Sequence, residues 1–372
     1  MRILIYTPAA RMGGARAHVL GLVPELAAIA PTDEVLLLAQ PDLLADLPPL
    51  PSTWILRAEQ AYTRGFVGRL AWEQRILPRI TRRFCADVLL SFGSFVPLRS
   101  PCPTVLEAGN ALPFTRAYWQ VIARESLRVQ VEEHARWALL RASLRAAGRV
   151  LAPTRAMRQD VATRMPEVGP KIDVALWGVA SIFHRVRWSD PSGDAVLGVS
   201  RHGINKEFDV LIATLPHLRR RYRGVRVVLT GSPGESRWSR RSAGLARQLG
   251  VGEHVCFAGD VPNAKVAELI REARLLVFPT WCESFGLPLA EALAMGAPAV
   301  AADIPACREV GGEAAWYYTP GDVDSLAAAI DDSLRFPEAT AAMAHSAYER
   351  GKMFEWRENA VAVRQTLQKA VG

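Results

Sequence analysis

The stretch LLVFPTWCESFGLPLAEALAMGAPAVAAD, residues 275 to 303, decides how this chain is read. Leu275 to Pro279 is a short apolar run with valine and phenylalanine, stopped by proline, the pattern of a buried strand. Pro288 predicts a helix start, where its missing N–H costs nothing, and Gly296 predicts the helix end. Ala297 to Ala302 reads as the next strand, so the unit is strand–loop–helix–strand, the repeating piece of a parallel sheet. Glu283 to Gly286 fall at the carboxyl end of the first strand, where open α/β sheets hold ligands.

Two carboxylates flank that loop. Leu289, Ala292 and Leu293 share one helical face, and Glu291 stands about 200° round from Leu289, which predicts that it points away from the packed side. Gly286 and the amides around it lie at the positive end of the helix, a seat for a phosphate. Glu291 is roughly 4.5 Å along the axis from Pro288, about the offset between a diphosphate and its ribose. A carboxylate accepting two hydrogen bonds suits a ribose diol, and Glu283 could do the same for a sugar. On spacing alone, a capped helix with two solvated glutamates is the alternative.

ESFGLPLAE, 283 to 291, with seven residues between its glutamates, and GAPAVAADIPACREV, 296 to 310, together resemble the E-x7-E signature of retaining GT-B glycosyltransferases (family 4, glycosyl transferases group 1). The resemblance implies an α/β fold of GT-B architecture, two Rossmann-like parallel-sheet domains facing a central cleft. It implies a nucleoside diphosphate sugar as donor, front-side attack by an acceptor hydroxyl, and no metal or other cofactor. Backbone amides of Ser284, Phe285, Gly286 and Leu287 would face the donor, with Glu283 on its sugar and Glu291 on its ribose.

Other segments extend the likeness. Val196 to Ser200 reads as a strand followed by a loop with Arg201 and Lys206, two cations able to neutralise one diphosphate. They resemble the family's strand–Arg–x4–Lys element. VCFAGDVPNAK, from 255, resembles the strand and turn that in relatives grips the nucleobase, with Val261 on the base and Asn263 and Lys265 nearby. Gly13 and Gly14, after a first strand at Ile3 to Tyr6, resemble the glycine-rich loop facing donor phosphates and acceptor. LEAGNALPF, 106 to 114, resembles an N-x-x-P-F subgroup. Many relatives carry a histidine there, near the reacting sugar; here Asn110 stands instead, or Glu107 close by. His18 and His134 read as helix-packing residues.

KIDVALWGV, 171 to 179, resembles the strand and turn leading out of the first domain. The expected organisation is an acceptor-side domain over 1–178, a nucleotide-sugar domain over 179–355, and a terminal helix, 356–372, crossing back to the first. A linker is expected near 178 to 192, where Pro191, Ser192 and Gly193 break the pattern.

Composition narrows the classes. The 372 residues are half hydrophobic, enough for two cores. The opening MRILIYTP lacks the pattern of a signal peptide, and no window of about 18 apolar residues predicts a membrane span. The five cysteines form no CxxC pair and no metal spacing, which fits a reducing cytoplasm. Asp322-Val323-Asp324 mimics a metal motif but reads as a helix cap.

The net charge is +8, of which +7 lies in residues 1–176. Residues 62 to 83 hold six arginines against Glu73, among Tyr62, Phe66 and Trp72; residues 116 to 149 form one long helical pattern with seven arginines. Such faces are either solvated or lie on an anionic membrane. Nucleic acid is a third partner for them, and the preferred reading includes none.

That reading is a glycosyltransferase acting on a nucleotide sugar and an acceptor that is a glycan, a lipid-linked glycan or a small molecule. It is cytoplasmic, with peripheral attachment to the membrane's inner face left open. A GT-B nucleotide-sugar epimerase and a non-catalytic basic module are the alternatives.

Overall fold

The computed structural model describes residues 1–8, 10–11, 13–60, 65–93, 95–191 and 193–372. Tyr62 of the first arginine-rich stretch and Ser192 of the expected linker lie outside the described residues. The chain divides into two units, residues 1–178 with 355–372, and residues 179–354.

The first unit holds β1 (Arg2–Tyr6), β2 (Glu34–Ala39), β3 (Trp54–Ala58), β4 (Val88–Ser91), β5 (Thr104–Glu107), β6 (Arg149–Ala152) and β7 (Ile172–Val174) in one sheet of order β3-β2-β1-β4-β5-β6-β7. Every pairing is parallel. Side chains alternate across a strand, so Ile3 and Ile5 enter one core with Val19, Leu22 and Val35, while Leu4 and Tyr6 enter the other with Trp72, Leu77 and Ile80. Helix Trp356–Val371 belongs to this unit, and its Ala360, Val363 and Leu367 join the first core. It lies close on helix Gly13–Ile29, where a Cβ on Gly21 would stand 2.1 Å from the Trp356 ring.

The second unit holds β8 (Ala195–Gly198), β9 (Arg226–Leu229), β10 (Val255–Phe257), β11 (Leu275–Phe278), β12 (Ala299–Ala302) and β13 (Trp316–Tyr318), again all parallel, in the order β10-β9-β8-β11-β12-β13. In both sheets the order reverses beside the unit's first strand, between β1 and β4 and between β8 and β11. Loops leaving two such neighbours run apart and open a crevice at the carboxyl edge.

One local expectation changes, and two basic stretches gain their structure. The pattern over 116–149 is two helices, Arg116–Ile122 and Leu127–Ala146, and the break is stabilised by Gln130, whose Nε2 donates to the carbonyls of Ala123 and Glu125. The stretch 62–83 holds helices Gly65–Arg75 and Leu77–Phe84, parted at Ile76, with Pro78 in the first turn of the second, where a missing N–H breaks no helical bond. The basic run after Ser232 carries helix Arg237–Gln248, started by a reciprocal capping box between Ser236 and Ser239.

Candidate functional site

The second unit's site forms where β8 and β11 end side by side. Their exit loops zip together: Lys206 bridges Thr280 in antiparallel fashion, the Glu207 N–H donates to Pro279 O at 3.0 Å, and the Trp281 N–H donates to Asn205 O at 3.1 Å. That pairing brings Lys206 onto Glu283. The ammonium pairs with Oε1, which also accepts from Asn205 Nδ2 at 3.1 Å and Thr280 Oγ1 at 3.2 Å. Lys206 Nζ lies 4.5 Å from the Phe278 ring centroid, a cation–π contact holding it from below. Both charged side chains are nearly buried, at 12 % and 14 % exposure, whereas Arg201 at the start of the loop is exposed.

The loop ends in helix Leu287–Met295. Gly286 caps it at φ +101°, and a Cβ there would sit 3.1 Å from Phe278 Cε1, so both backbone and space call for glycine. The first helical bonds run from Leu289 and Ala290 N–H to Gly286 O, and Pro288 has no N–H. The Leu287 amide therefore stands ahead of the helical ladder, at the positive end. Phe285 is fully buried, edge-on to Phe354 at 5.8 Å, and fixes the turn; Ser284 is half-buried.

Glu291 is not on an open face. Every residue of the helix from Leu289 to Met295 is buried, and helix Pro337–Gly351 packs so close against it that a Cβ on Gly351 would stand 2.4 Å from Ala294 Cα. Glu291 is 8 % exposed, accepts no hydrogen bond among the described residues, and burial pushes its carboxyl up to about 7. An unpartnered carboxylate at this depth is costly, and a diol donating to it would remove the cost.

Val261 follows β10 and is half-buried. It leaves a glycine bridge in which Gly231 N–H donates to Gly259 O at 2.7 Å. Asn263 opens helix Asn263–Glu272, and Lys265 is paired with Glu268 at 2.7 Å. Asp322 caps helix Val323–Arg335 by accepting from Ser325 N–H at 3.0 Å. Sequence reasoning missed Asn205 and Thr280, which orient Glu283. The available signal was their place, each directly beside a strand-exit residue that the loop bridge pairs.

Gly13, Gly14 and Asn110 lie in the first unit. Gly13, φ +59°, opens the helix after β1 with nothing within 4 Å of where a Cβ would be. Asn110 is exposed, and its Oδ1 accepts from Leu112 N–H at 3.1 Å, two residues on, just ahead of the short turn Leu112–Phe114. His18 is buried against Trp356 and Trp177, with Nδ1 2.7 Å from Glu107 Oε1. His134 Nδ1 sits 2.7 Å from Gln130 O on its own helix.

Residues 185–350 match the family model described as Glycosyl transferases group 1. D-inositol 3-phosphate glycosyltransferase of Mycobacterium marinum is 33% identical over 157 residues, 40% of this chain and 33% of that protein. Glycogen synthase of Mycobacterium tuberculosis is 30% identical over 202 residues, 54% of this chain and 47% of that one. The chain thus spans a third to a half of the length of these curated relatives. Among solved structures, sucrose-phosphate synthase from Thermosynechococcus elongatus superposes with TM-score 0.78 at 17% identity, covering 99% of this chain and 98% of that one. Anabaena HepE in complex with UDP-glucose superposes with TM-score 0.74 at 18% identity, covering 99% and 100%. The fold they share with this chain is GT-B.

Proposed function

Residues 185–350 belong to the group 1 glycosyl transferases, and from that premise we propose that this chain moves a sugar from a nucleoside diphosphate donor to an acceptor hydroxyl with retention of configuration. One observation carries the reading. At the strand-order reversal between β8 and β11, Lys206 and Glu283 are locked together beside a glycine-opened helix whose Glu291 is buried without a partner. Such an arrangement accepts an anion flanked by hydroxyls. Arg201, Lys206 and the amides of Phe285, Gly286 and Leu287 neutralise the diphosphate as it departs, which is where the barrier falls most. Glu283 uses its remaining lone pairs on the donor sugar, Glu291 takes the ribose diol, and Val261 meets the base through its backbone. No carboxylate nucleophile and no metal enter, since the departing phosphate takes the acceptor's proton. An epimerase on the same fold would convert donor alone, and product analysis without acceptor separates the two.

The test is a melting screen against UDP, GDP, ADP and dTDP with their common sugars. Ligand that binds only the folded chain raises the melting temperature, by the equivalent of about 2.7 kcal/mol at a hundredfold excess over Kd. A shift with one nucleoside diphosphate is expected; no shift with any of them overturns the function.

Peripheral attachment to an anionic membrane completes the proposal. It is supported by Val67, Leu127 and Val131, exposed at 75%, 79% and 69%, which line one open groove of about 780 Å³ with Phe66 and Arg128. Arg75, Arg79, Arg82 and Arg83 are exposed on the neighbouring helices. No described helix is long and apolar enough to cross a membrane. Sedimentation with phosphatidylserine-containing vesicles is expected at low salt and lost when those four arginines are neutralised, each contributing about 1 kcal/mol. An unmodified chain that stays in the supernatant ends the membrane proposal.

A further inference from the structure

Tyr318 closes β13, the edge strand of the second unit's sheet, and is 1% exposed. Its hydroxyl donates to Glu207 Oε2 at 2.9 Å and receives a backbone hydrogen bond from the Thr280 N–H. Glu207 follows Lys206 and stands at the cap of helix Phe208–Arg221. An acidic side chain there ordinarily accepts from the first amides of its own helix, and Glu207 makes no such bond. Buried at 9% exposure, its carboxylate takes the Tyr318 hydroxyl and the Gly321 N–H instead. Gly321 lies in the turn after β13 at φ +81°, and a Cβ on it would stand 3.7 Å from Glu207 Oε1. The exits of β8, β11 and β13 therefore meet on one hydroxyl–carboxylate pair. Two of those exits carry the candidate site. Thr280 Oγ1 lies 3.2 Å from Glu283 Oε1 and 3.0 Å from Asn205 O, while the Glu207 N–H closes the loop pairing on Pro279 O at 3.0 Å, directly after Lys206.

We propose that Tyr318 is a positioning residue: through Glu207 and Thr280 its hydroxyl fixes the two loops that present Lys206 and Glu283, and so sets how tightly the site holds a diphosphate. The inference rests on the glycosyl-transfer reading above, which makes Lys206 and Glu283 the groups whose placement matters. Tyr318 is too deep to touch a substrate, and it acts only through its two partners. Hydrogen bonds in a buried network reinforce one another, so a single hydroxyl that serves both loops couples them more firmly than two separate anchors would. Lys206 and Glu283 are a nearly buried ion pair, whose attraction offsets the loss of water only in good geometry. A loop that drifts by a fraction of an ångström therefore weakens both the pair and its alignment on a ligand. Glu207 serves as the second half of the same device, since it joins the Tyr318 hydroxyl to the residue after Lys206.

The experiment uses the full chain and two matched lesions. Tyr318→Phe deletes the hydroxyl and keeps the ring. Tyr222→Phe deletes a hydroxyl of the same unit that donates to Asp331 Oδ1 at 2.8 Å, at the opposite end of helix Phe208–Arg221. Both should lower the melting temperature, so stability alone does not separate them. Without ligand, Tyr318→Phe should speed hydrogen exchange of the Glu207 and Trp281 amides, which close the loop pairing, about tenfold, and Tyr222→Phe should leave them unchanged. The second readout is the Kd for whichever of UDP, GDP, ADP and dTDP the melting screen selects. Tyr318→Phe should raise it about fivefold in the unmodified chain and not at all on top of Lys206→Ala. Glu207→Gln, a milder lesion that keeps Tyr318 and one acceptor oxygen, should show both effects at smaller size. Exchange in Tyr318→Phe equal to the unmodified chain, or equal loosening in Tyr222→Phe, overturns the inference. So does an unchanged Kd, or the same loss of affinity with and without Lys206→Ala, the mark of a merely structural hydroxyl. An unmodified chain that binds none of the four nucleotides removes the glycosyl-transfer reading itself, and the exchange comparison still decides whether Tyr318 fixes the loops.

Discussion

Lys206→Ala should lower turnover with saturating nucleotide sugar at least tenfold, about 1.4 kcal/mol of barrier, and more than Arg201→Ala does. Two effects add. The ammonium stabilises the departing diphosphate, and it also balances Glu283, with which it is nearly buried. Removing one member of such a pair leaves a charge served only by neutral donors, here Asn205 and Thr280, and that can cost several kcal/mol. Arg201 is exposed, so water and salt screen its contribution and its removal should matter less at high ionic strength. A double-mutant cycle separates the two roles of Lys206. If it acts partly through Glu283, Lys206→Ala combined with Glu283→Gln will be less damaging than the two losses summed. Unchanged turnover in Lys206→Ala would contradict the assignment, and strict additivity would remove the coupling.

The parallel sheets were legible because each buried strand is a short apolar run closed by proline, glycine or a polar loop, as at Leu275–Phe278 and Ala299–Ala302. The cap at Asp322 was legible too, because the residue that accepts an N–H three positions on is a local property. Glu291 shows where such reading stops. Helical periodicity relates a residue to its own helix, and on that basis Glu291 faces outward. Its burial comes from tertiary packing that the helix's own period does not report; helix Pro337–Gly351, more than forty residues along the chain, lies against the same helix at Ala294, seated close because Gly351 has no side chain. The same limit applies to Glu283. Its loop position was evident, but its partners Asn205 and Thr280 meet it only because β8 and β11 are neighbours, a fact of topology. In the first unit, Asn110 drew attention by motif, and its oxygen is used locally, accepting from Leu112 N–H. The missed break at 123–126 had no proline or glycine to mark it, and is held by one glutamine side chain.

Nucleotide affinity should rise with pH through neutrality, and Glu291→Gln should flatten that rise. In the ligand-free chain burial pushes the Glu291 carboxyl up to about 7, from an ordinary 4.5, so the group is neutral below that point. A ribose diol offers two O–H donors, which an ionised carboxylate accepts and a protonated one accepts less well. Binding therefore favours the ionised form and releases a proton wherever the free chain still holds one. Between pH 6 and pH 8 the Kd for UDP should tighten about tenfold on this account, and then level off. UDP titrates near this range as well, but it does so identically with Glu291→Gln, so the difference between the two chains isolates the residue. The same displacement has a stability consequence of fixed sign. A carboxyl whose folded value lies above its unfolded one favours the fold at low pH, and that contribution is lost as pH rises from about 4.5 through about 7. Ligand-free Glu291→Gln should accordingly melt above the unmodified chain at pH 8 and close to level with it at pH 4, while binding UDP more weakly at pH 8. Calorimetric titration and thermal melts at the two pH values read both halves. A variant that binds UDP as tightly as the unmodified chain at pH 8 would take the ribose away from Glu291, even if the stability difference appeared as expected.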